Sequence, residues 1–316
     1  MILAIDIGGT TSKLGLVDDG RVVARSRIST TGHADEAAFA DALAVAGLRL
    51  IETDDHQPLR SVGIGAPNAN QHTGIIEMAP NLPWKHDVPL ERMMADRLGI
   101  PATLGNDANA AALGEWRYGA GKGYKDLLVV TLGTGVGSGF IVNDRLVLGS
   151  AGNAGELGHM TLVLDGRPCT CGRSGCLEAY VSIRGMRQTY ADLGGNADVL
   201  KVEGVKAIAD AAVGRDEAAR STFERTAEWL AVGLANAVAV TGPGRVVLFG
   251  GIARNGDLLM DPLRSRFEQA LLNIYKGRVD LVVSGLPDDD AALLGAAALG
   301  RLGEEGPHAE ARGARG

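Results

Sequence analysis

The sequence predicts an α/β protein built from two related halves. Three observations carry that prediction: an internal repeat, an alternation of strand-like and helical stretches, and a length that suits two lobes. Residues 2–20 are echoed without a gap by residues 127–145. In each copy an apolar run ends in a turn of glycines and threonines, Gly8-Gly9-Thr10-Thr11 first and Gly133-Thr134-Gly135-Val136-Gly137 second. Another apolar run and a polar turn follow. Glycine lets the backbone approach an anion closely, and successive N–H groups in such a turn form an anion-binding concavity. Two copies facing each other would hold one polyphosphate in a cleft between lobes. At 316 residues and 32.7 kDa the chain can bury a substantial core, and domains of ~100–200 residues make two lobes the natural expectation. The expected division is 1–112 with 291–316 as the smaller lobe and 113–290 as the larger.

In chain order, strand-like apolar runs fall at 2–7, 13–17, 61–65, 127–132, 139–142, 246–249 and 280–284, with helical patterns at 35–51 and 90–98 between them. Residues 108–119 read as a helix placed to link the lobes, because Asn106-Asp107 offers an N-cap and the following stretch is rich in alanine. The most apolar helix candidate, 227–240, is shorter than the about 20 apolar residues a membrane span needs. It also carries Asn236, so a buried helix is expected. Asp288-Asp289-Asp290 precede a small apolar helix at 291–302, acid at its N-terminus as the helix dipole prefers. A frayed tail is expected from Gly303.

Hydrophobic residues make up 46% and charged residues 22%, the composition of an ordinary soluble protein. A net charge of −7 and a pI near 5.4 provide no footprint for nucleic acid or an anionic membrane surface, so neither is an expected partner. Bound phosphates must then be held by local geometry. Asp6 interrupts the first apolar run, which argues against a secretory signal and for a cytoplasmic protein. The three cysteines all lie between Cys169 and Cys176, an odd number at metal-like spacing rather than a disulfide framework.

Three constellations carry chemistry. Asp6 stands at the end of a strand, two residues before a double glycine, where it can face a magnesium ion accompanying phosphates. The repeated copy has Thr131 there, an asymmetry that suggests a role one half alone performs. Thr10, Thr11 and Lys13 would lie near the terminal phosphates. Neither 8–13 nor 119–123 fits the Walker A pattern, so the phosphate reading rests on the repeat. Asp107 stands at a loop-to-helix junction between the two copies. It is either a helix cap or a general base that takes a hydroxyl proton during phosphoryl transfer, and both roles can coexist. The third constellation joins Glu156-Leu157-Gly158-His159 to the run from Cys169 to Glu178. His159, Cys169, Cys171 and Cys176 make a closed N/S ligand set, the composition of a structural zinc site, against the alternative of free thiols. Glu156 and Glu178 flank that loop and are either polyol-binding carboxylates or solvated acids.

Together these residues resemble the ROK family of sugar kinases, repressors and open reading frames, within the actin-like ATPase superfamily, over nearly the whole chain. The motifs that carry the resemblance are Asp6-Ile7-Gly8-Gly9-Thr10, Gly63-Ile64-Gly65-Ala66-Pro67, Pro80-Asn81-Leu82, Gly135-Val136-Gly137-Ser138-Gly139 through Gly149 and Gly155 to Gly158-His159, the complete C-x-C-G-x-x-G-C-x-E run, and Gly250-Gly251-Ile252. The resemblance implies a two-lobed actin-like fold of duplicated ribonuclease H-like domains with an interlobe cleft. It also implies ATP-dependent phosphorylation of a hexose at its 6-hydroxyl, glucose first, as in carbohydrate metabolism and glycolysis. Asp107 is then the base. Gly65, Asn68, Asn81, Asn106, Asp107, Glu156, His159 and Glu178 hold the sugar, and Asp6, Gly8, Gly9, Thr10, Thr11, Lys13, Thr134, Gly135, Gly250 and Gly251 hold ATP with Mg2+. The zinc is structural, with one His159 nitrogen on the metal and the other facing the sugar. A homodimer or homotetramer is implied.

Two departures lie near the expected sugar pocket: Asn68 where many members carry glycine, and Pro83-Trp84 directly after Asn81-Leu82. Within the kinase reading the alternatives are mannose, N-acetylglucosamine, N-acetylmannosamine or fructose as acceptor and polyphosphate as donor. Outside it stand a sugar-responsive repressor, disfavoured by the acidic chain and the early position of Asp6, and a non-sugar actin-like ATPase, disfavoured by the cysteine run.

Overall fold

In a computed structural model, residues 1–52, 58–287 and 289–305 are described. Two compact units emerge, Met1–Lys122 with Leu148–Ala154 and Gly285–Gly316, and Gly123–Val147 with Gly155–Ser284.

In the first unit, β1 (Ile2–Ile7), β2 (Thr11–Asp18) and β3 (Arg21–Ser29) form an antiparallel meander, followed by α1 (Glu36–Glu52). Strand β4 (Ser61–Ala66) then pairs parallel with β1. A small hairpin of β5 (Ala69–Asn70) and β6 (Ile75–Ile76), helix α2 (Leu90–Leu98), strand β7 (Ala102–Asn106) and helix α3 (Asp107–Tyr118) complete the run, and the sheet order is β3-β2-β1-β4-β7. Sequence patterning passed over β3 because Arg21, Arg25 and Arg27 interrupt its apolar residues. As the sheet's edge, one face of it tolerates charge, which also discourages pairing with another chain. Strand β7 lies outside the strand-like stretches of the sequence because Ala102-Thr103-Leu104-Gly105-Asn106 contains no apolar run, and its parallel pairing with β4 is what makes it a strand. The segment Leu148–Ala154 joins this unit through Asn70, which donates to the Ala151 carbonyl (2.9 Å), and through a His72 Nε2 contact to the Gly149 carbonyl (2.9 Å).

The second unit repeats the plan. Strands β8 (Leu127–Leu132), β9 (Val136–Val142) and β10 (Arg145–Leu146) are antiparallel, while β11 (Arg245–Phe249) and β12 (Asp280–Val283) run parallel to β8, in the order β10-β9-β8-β11-β12. Between them lie a 3-10 turn (Leu157–His159), α4 (Glu178–Val181), α5 (Ile183–Asp192), α6 (Ala197–Leu200), α7 (Lys206–Val213), α8 (Glu217–Thr241) and α9 (Asp257–Ala270). The repeat is faithful in strands but not in register. Ile7 faces Ser12 in the first hairpin, whereas Leu132 faces Val136 in the second, so the second turn is one residue tighter.

Helix α8 contains the apolar stretch at 227–240, extends it at the N-terminus, and buries one face only: Asn236 is exposed and Val240 is 85% exposed. Its caps are Asp216, which accepts from the Ala219 N–H, and left-handed Gly242. The last helix, α10 (Ala291–Glu305), runs past the Gly303 where fraying was expected, because it packs on the first unit rather than on solvent. Asp288 and the tail beyond residue 305 lie outside the described residues. The lobe boundary expected at 112/113 would cut α3; the whole helix belongs to the first unit, with the division falling after Lys122 and before Gly285. No described helix is long and apolar enough to cross a membrane.

Helix α10 lies directly on β4 and α3 because small residues face it. A Cβ on Gly63 would overlap the Ala296 carbonyl, one on Gly300 would meet the Gly63 nitrogen at 2.9 Å, and one on Gly114 would meet the Gly295 Cα at 2.9 Å. Gly63→Ala is therefore expected to lower stability by about 2–3 kcal/mol, since the overlapping atoms are backbone and cannot rotate away. Chemical denaturation checks this, with the midpoint falling at an unchanged slope.

Candidate active site

Each unit presents polar residues where its strands end. In the first, parallel strands β1, β4 and β7 place Asp6 beside Gly65 and Gly65 beside Gly105, with Asn106 and Asp107 just beyond. Lys13, on β2, sits directly opposite Asp6. The turn after β1 is held from behind. Buried Thr30 donates its hydroxyl to the Gly8 carbonyl (2.8 Å), and its N–H bonds to the Thr10 carbonyl (2.9 Å). Gly9, Thr10 and Thr11 stay exposed. A Cβ on Gly9 would lie 2.9 Å from the Asn81 carbonyl, so the turn and the Asn81 segment touch because residue 9 has no side chain. No motif pointed to Thr30.

Asn106, not Asp107, is the N-cap of α3. Its side chain accepts from the Ala108 N–H at 2.9 Å, and Asp107 Oδ1 accepts from the same N–H at 2.8 Å. Protein closes densely around the Asp107 carboxyl and raises its pKa by desolvation, against the pull of the Ala108 N–H and its own. Yet the residue keeps one face open to solvent. The upward direction follows the crowding, and the open face provides access: the group is reachable but short of bulk water. Burial pushes Asp6 up to about 6, with Lys13 opposing and Asp107 adding to the rise. Because that value stands above the ordinary 3.8, ionising Asp6 destabilises the fold as pH climbs from about 4 to about 6, and the effect is level above.

Asn68 adopts a left-handed backbone, φ 52°, which explains why asparagine can stand where glycine is common. Its amide nitrogen donates to the Glu77 carbonyl (3.2 Å), which anchors the side chain. Trp84 is buried against Phe39, with ring centroids 4.8 Å apart, and so serves the core rather than a pocket wall.

In the second unit, the Thr131 hydroxyl, at the position matching Asp6, accepts from the Gly137 N–H (3.1 Å) and serves the hairpin itself. The Gly133 N–H bonds to the Gly135 carbonyl (3.0 Å), and Val136 donates to Glu178 Oε2 (3.0 Å). A Cβ on Gly250 would overlap the Leu132 carbonyl, which brings Gly250-Gly251 against the base of this turn. A cavity of about 670 Å³ opens from Thr134 and is lined by Arg184, Arg187, Gln188 and Glu203 among others, residues far along the chain that no motif marks.

The ligand atoms of His159, Cys169, Cys171 and Cys176 all lie within 4.8 Å of one another. Cys171 and Cys176 sulfurs are 3.6 Å apart, and Cys169 is 3.6 Å from His159 Nδ1. A tetrahedral zinc with bonds near 2.3 Å sets its sulfurs ~3.8 Å apart, so the residues fit that metal. The Arg173 N–H and side chain pull Cys171 down to about 6, while burial and the neighbouring thiols push Cys176 up to about 12. His159 Nε2 points the other way, 3.9 Å from Glu156 Oε2. Glu156 is exposed, while Glu178 is held between the turn and the cysteine loop.

Two copies of one sheet plan, each with a turn rich in glycine and threonine after its first strand, define an α/β fold of the actin-like ATPase class. The chain belongs to the ROK family, whose model matches residues 2–301. It is 34% identical over 316 residues to a glucokinase of Streptomyces coelicolor, spanning 95% of this chain and 98% of that protein. An N-acetyl-D-glucosamine kinase of Escherichia coli is 32% identical over 95% of this chain and 99% of its own length. Among solved structures, a ROK family glucokinase from Streptomyces griseus in complex with glucose and AMPPNP is 33% identical, with a TM-score of 0.78 over 95% of this chain and 99% of that one.

Proposed function

We propose that this protein transfers the terminal phosphoryl group of ATP to the 6-hydroxyl of a hexose, with glucose as first acceptor. The observation that carries the reading is Asp107: a carboxylate with a raised pKa, accessible at the start of α3 and near a second carboxylate, Asp6. Asp107 takes the hydroxyl proton as the oxygen attacks, and a raised pKa makes it the better base near neutrality. Asn81 and Asn106 of the first unit, with Gly65 and Asn68, and Glu156, His159 and Glu178 of the second supply sugar contacts. The Gly8 to Thr11 turn with Lys13 takes the terminal phosphates; Thr134, Gly135, Gly250 and Gly251 take the rest of the nucleotide. Asp6 would hold Mg2+, which neutralises charge on the transferring group when bound. The four-ligand site would hold zinc and fix the loop that carries Glu178. A cytoplasmic homodimer or homotetramer that binds neither nucleic acid nor membranes completes the proposal.

ADP release with Mg-ATP across glucose, mannose, fructose, N-acetylglucosamine and N-acetylmannosamine tests this, with polyphosphate as a second donor. Turnover led by glucose supports the proposal; absence of sugar-dependent turnover on the whole panel overturns it. N-acetylglucosamine is the second reading, supported by the 32% identical kinase for that sugar. With glucose, kcat/KM is expected to fall as pH drops through about 6, as Asp6 protonates beside an Asp107 whose own pKa burial raises. A pH–rate profile flat down to pH 5 would contradict this.

A further inference from the structure

The nucleotide-facing turn of the second unit is shaped by a residue from the cysteine loop. Glu178 opens α4 two residues after Cys176, and its carboxylate reaches two ways. Oε2 accepts from the Val136 N–H at 3.0 Å, and Oε1 accepts from the Thr170 hydroxyl at 3.2 Å with Cys169 Sγ at 3.7 Å. The other end of the turn is tied to the same segment, because the Ile183 N–H, at the start of α5, bonds to the Gly133 carbonyl at 2.9 Å. Gly135 fits because it lacks a side chain: a Cβ there would stand 2.8 Å from Oε2.

The turn's amides divide accordingly. Gly133, Val136 and Gly137 donate to the Gly135 carbonyl, Glu178 and Thr131 in turn. Among the described residues, the Thr134 and Gly135 N–H groups are the ones left to meet an anion. Holding Val136 and Gly133 fixes the backbone between them, so these two groups are aimed before a phosphate arrives. Resting on the kinase reading, we propose that Glu178 is a positioning residue for the nucleotide's phosphates, in addition to any contact with sugar, and that it transmits the state of the cysteine loop to the turn.

Through-space charge works in the opposite direction, since a carboxylate near phosphates repels them. The two effects separate by substitution. ADP titrated calorimetrically into the full-length protein, without sugar, reads the phosphate site alone. E178A removes the acceptor and is expected to weaken ADP binding about tenfold, the size of a lost hydrogen bond to a charged group. E178Q keeps a carbonyl for the Val136 N–H and sheds the charge, so its affinity should match or exceed the wild type. T170A, lacking the hydroxyl that steadies Oε1, should weaken binding about two- to threefold. Wild-type affinity in E178A, or tighter binding in both Glu178 variants, overturns the proposal; should E178A fail to fold, unchanged affinity in T170A does so. A wild-type protein that binds no ADP refutes the kinase reading itself, whereas one that binds ADP but phosphorylates no tested sugar leaves the role of Glu178 to these variants.

Discussion

Asp107→Ala is expected to lower kcat by ~10²–10⁴-fold while leaving the affinity for ATP nearly unchanged and weakening sugar binding far less than it lowers kcat, the signature of a group that acts chiefly in the transition state. The structure makes this a clean experiment. A helix-initiating aspartate normally confounds such tests, because removing it also frays the helix. Here Asn106 Oδ1 already accepts from the Ala108 N–H that Asp107 shares, so α3 keeps its cap in the variant. Removing a crowded carboxylate whose pKa is raised by desolvation also removes that penalty, so the folded state should be as stable as the parent near neutral pH. Steady-state kinetics and a thermal scan together decide the matter. Turnover within tenfold of wild type would remove Asp107 from the mechanism.

The second large effect is expected at the cysteine loop. Cys171→Ser should reduce bound zinc well below one per chain and lower stability by on the order of 3 kcal/mol or more, because metal binding and folding of such loops are one process. Cys171 is the informative choice. Cys169 and Cys176 are buried, so their substitution mixes metal loss with disturbed packing, whereas Cys171 is exposed and contributes mainly as a ligand. Elemental analysis of the purified variant, with a thermal scan, reads both consequences. Activity should fall too, since His159 turns Nδ1 toward the cysteines and Nε2 toward Glu156, so a released ring loses its aim. A wild-type protein purified free of zinc and fully active would end the structural-metal assignment.

How much of this was legible in the sequence varied with the range of the interactions. The strands at 2–7 and 127–132 were readable because burial on both faces makes them continuous apolar runs. Helix α2 was readable end to end from its period, with Gly99 closing it in a left-handed conformation. Strand β3 was missed because its arginines resemble a loop until β2 is seen to pair with it. The ligand set from His159 to Cys176 was legible as spacing, since a short loop limits where its side chains can go, and the structure brings all four together. Thr30 behind the first phosphate turn and Arg184 beside the second were not legible, because nothing local distinguishes them from any other threonine or arginine.

Short-range pattern along the chain was enough to read the duplication, the two turns rich in glycine and threonine, the metal-type loop and the family. Tertiary structure alone decided which acid caps α3, that Asn68 occupies a left-handed turn and that Thr131 serves its own hairpin. It also decided that Glu178 reaches back to Val136 and that Asp6 and Asp107 hold raised pKa values. The reason is physical: spacing and periodicity are properties of neighbouring residues, whereas desolvation, register and hydrogen-bond partnership belong to whatever distant part of the chain folds against them.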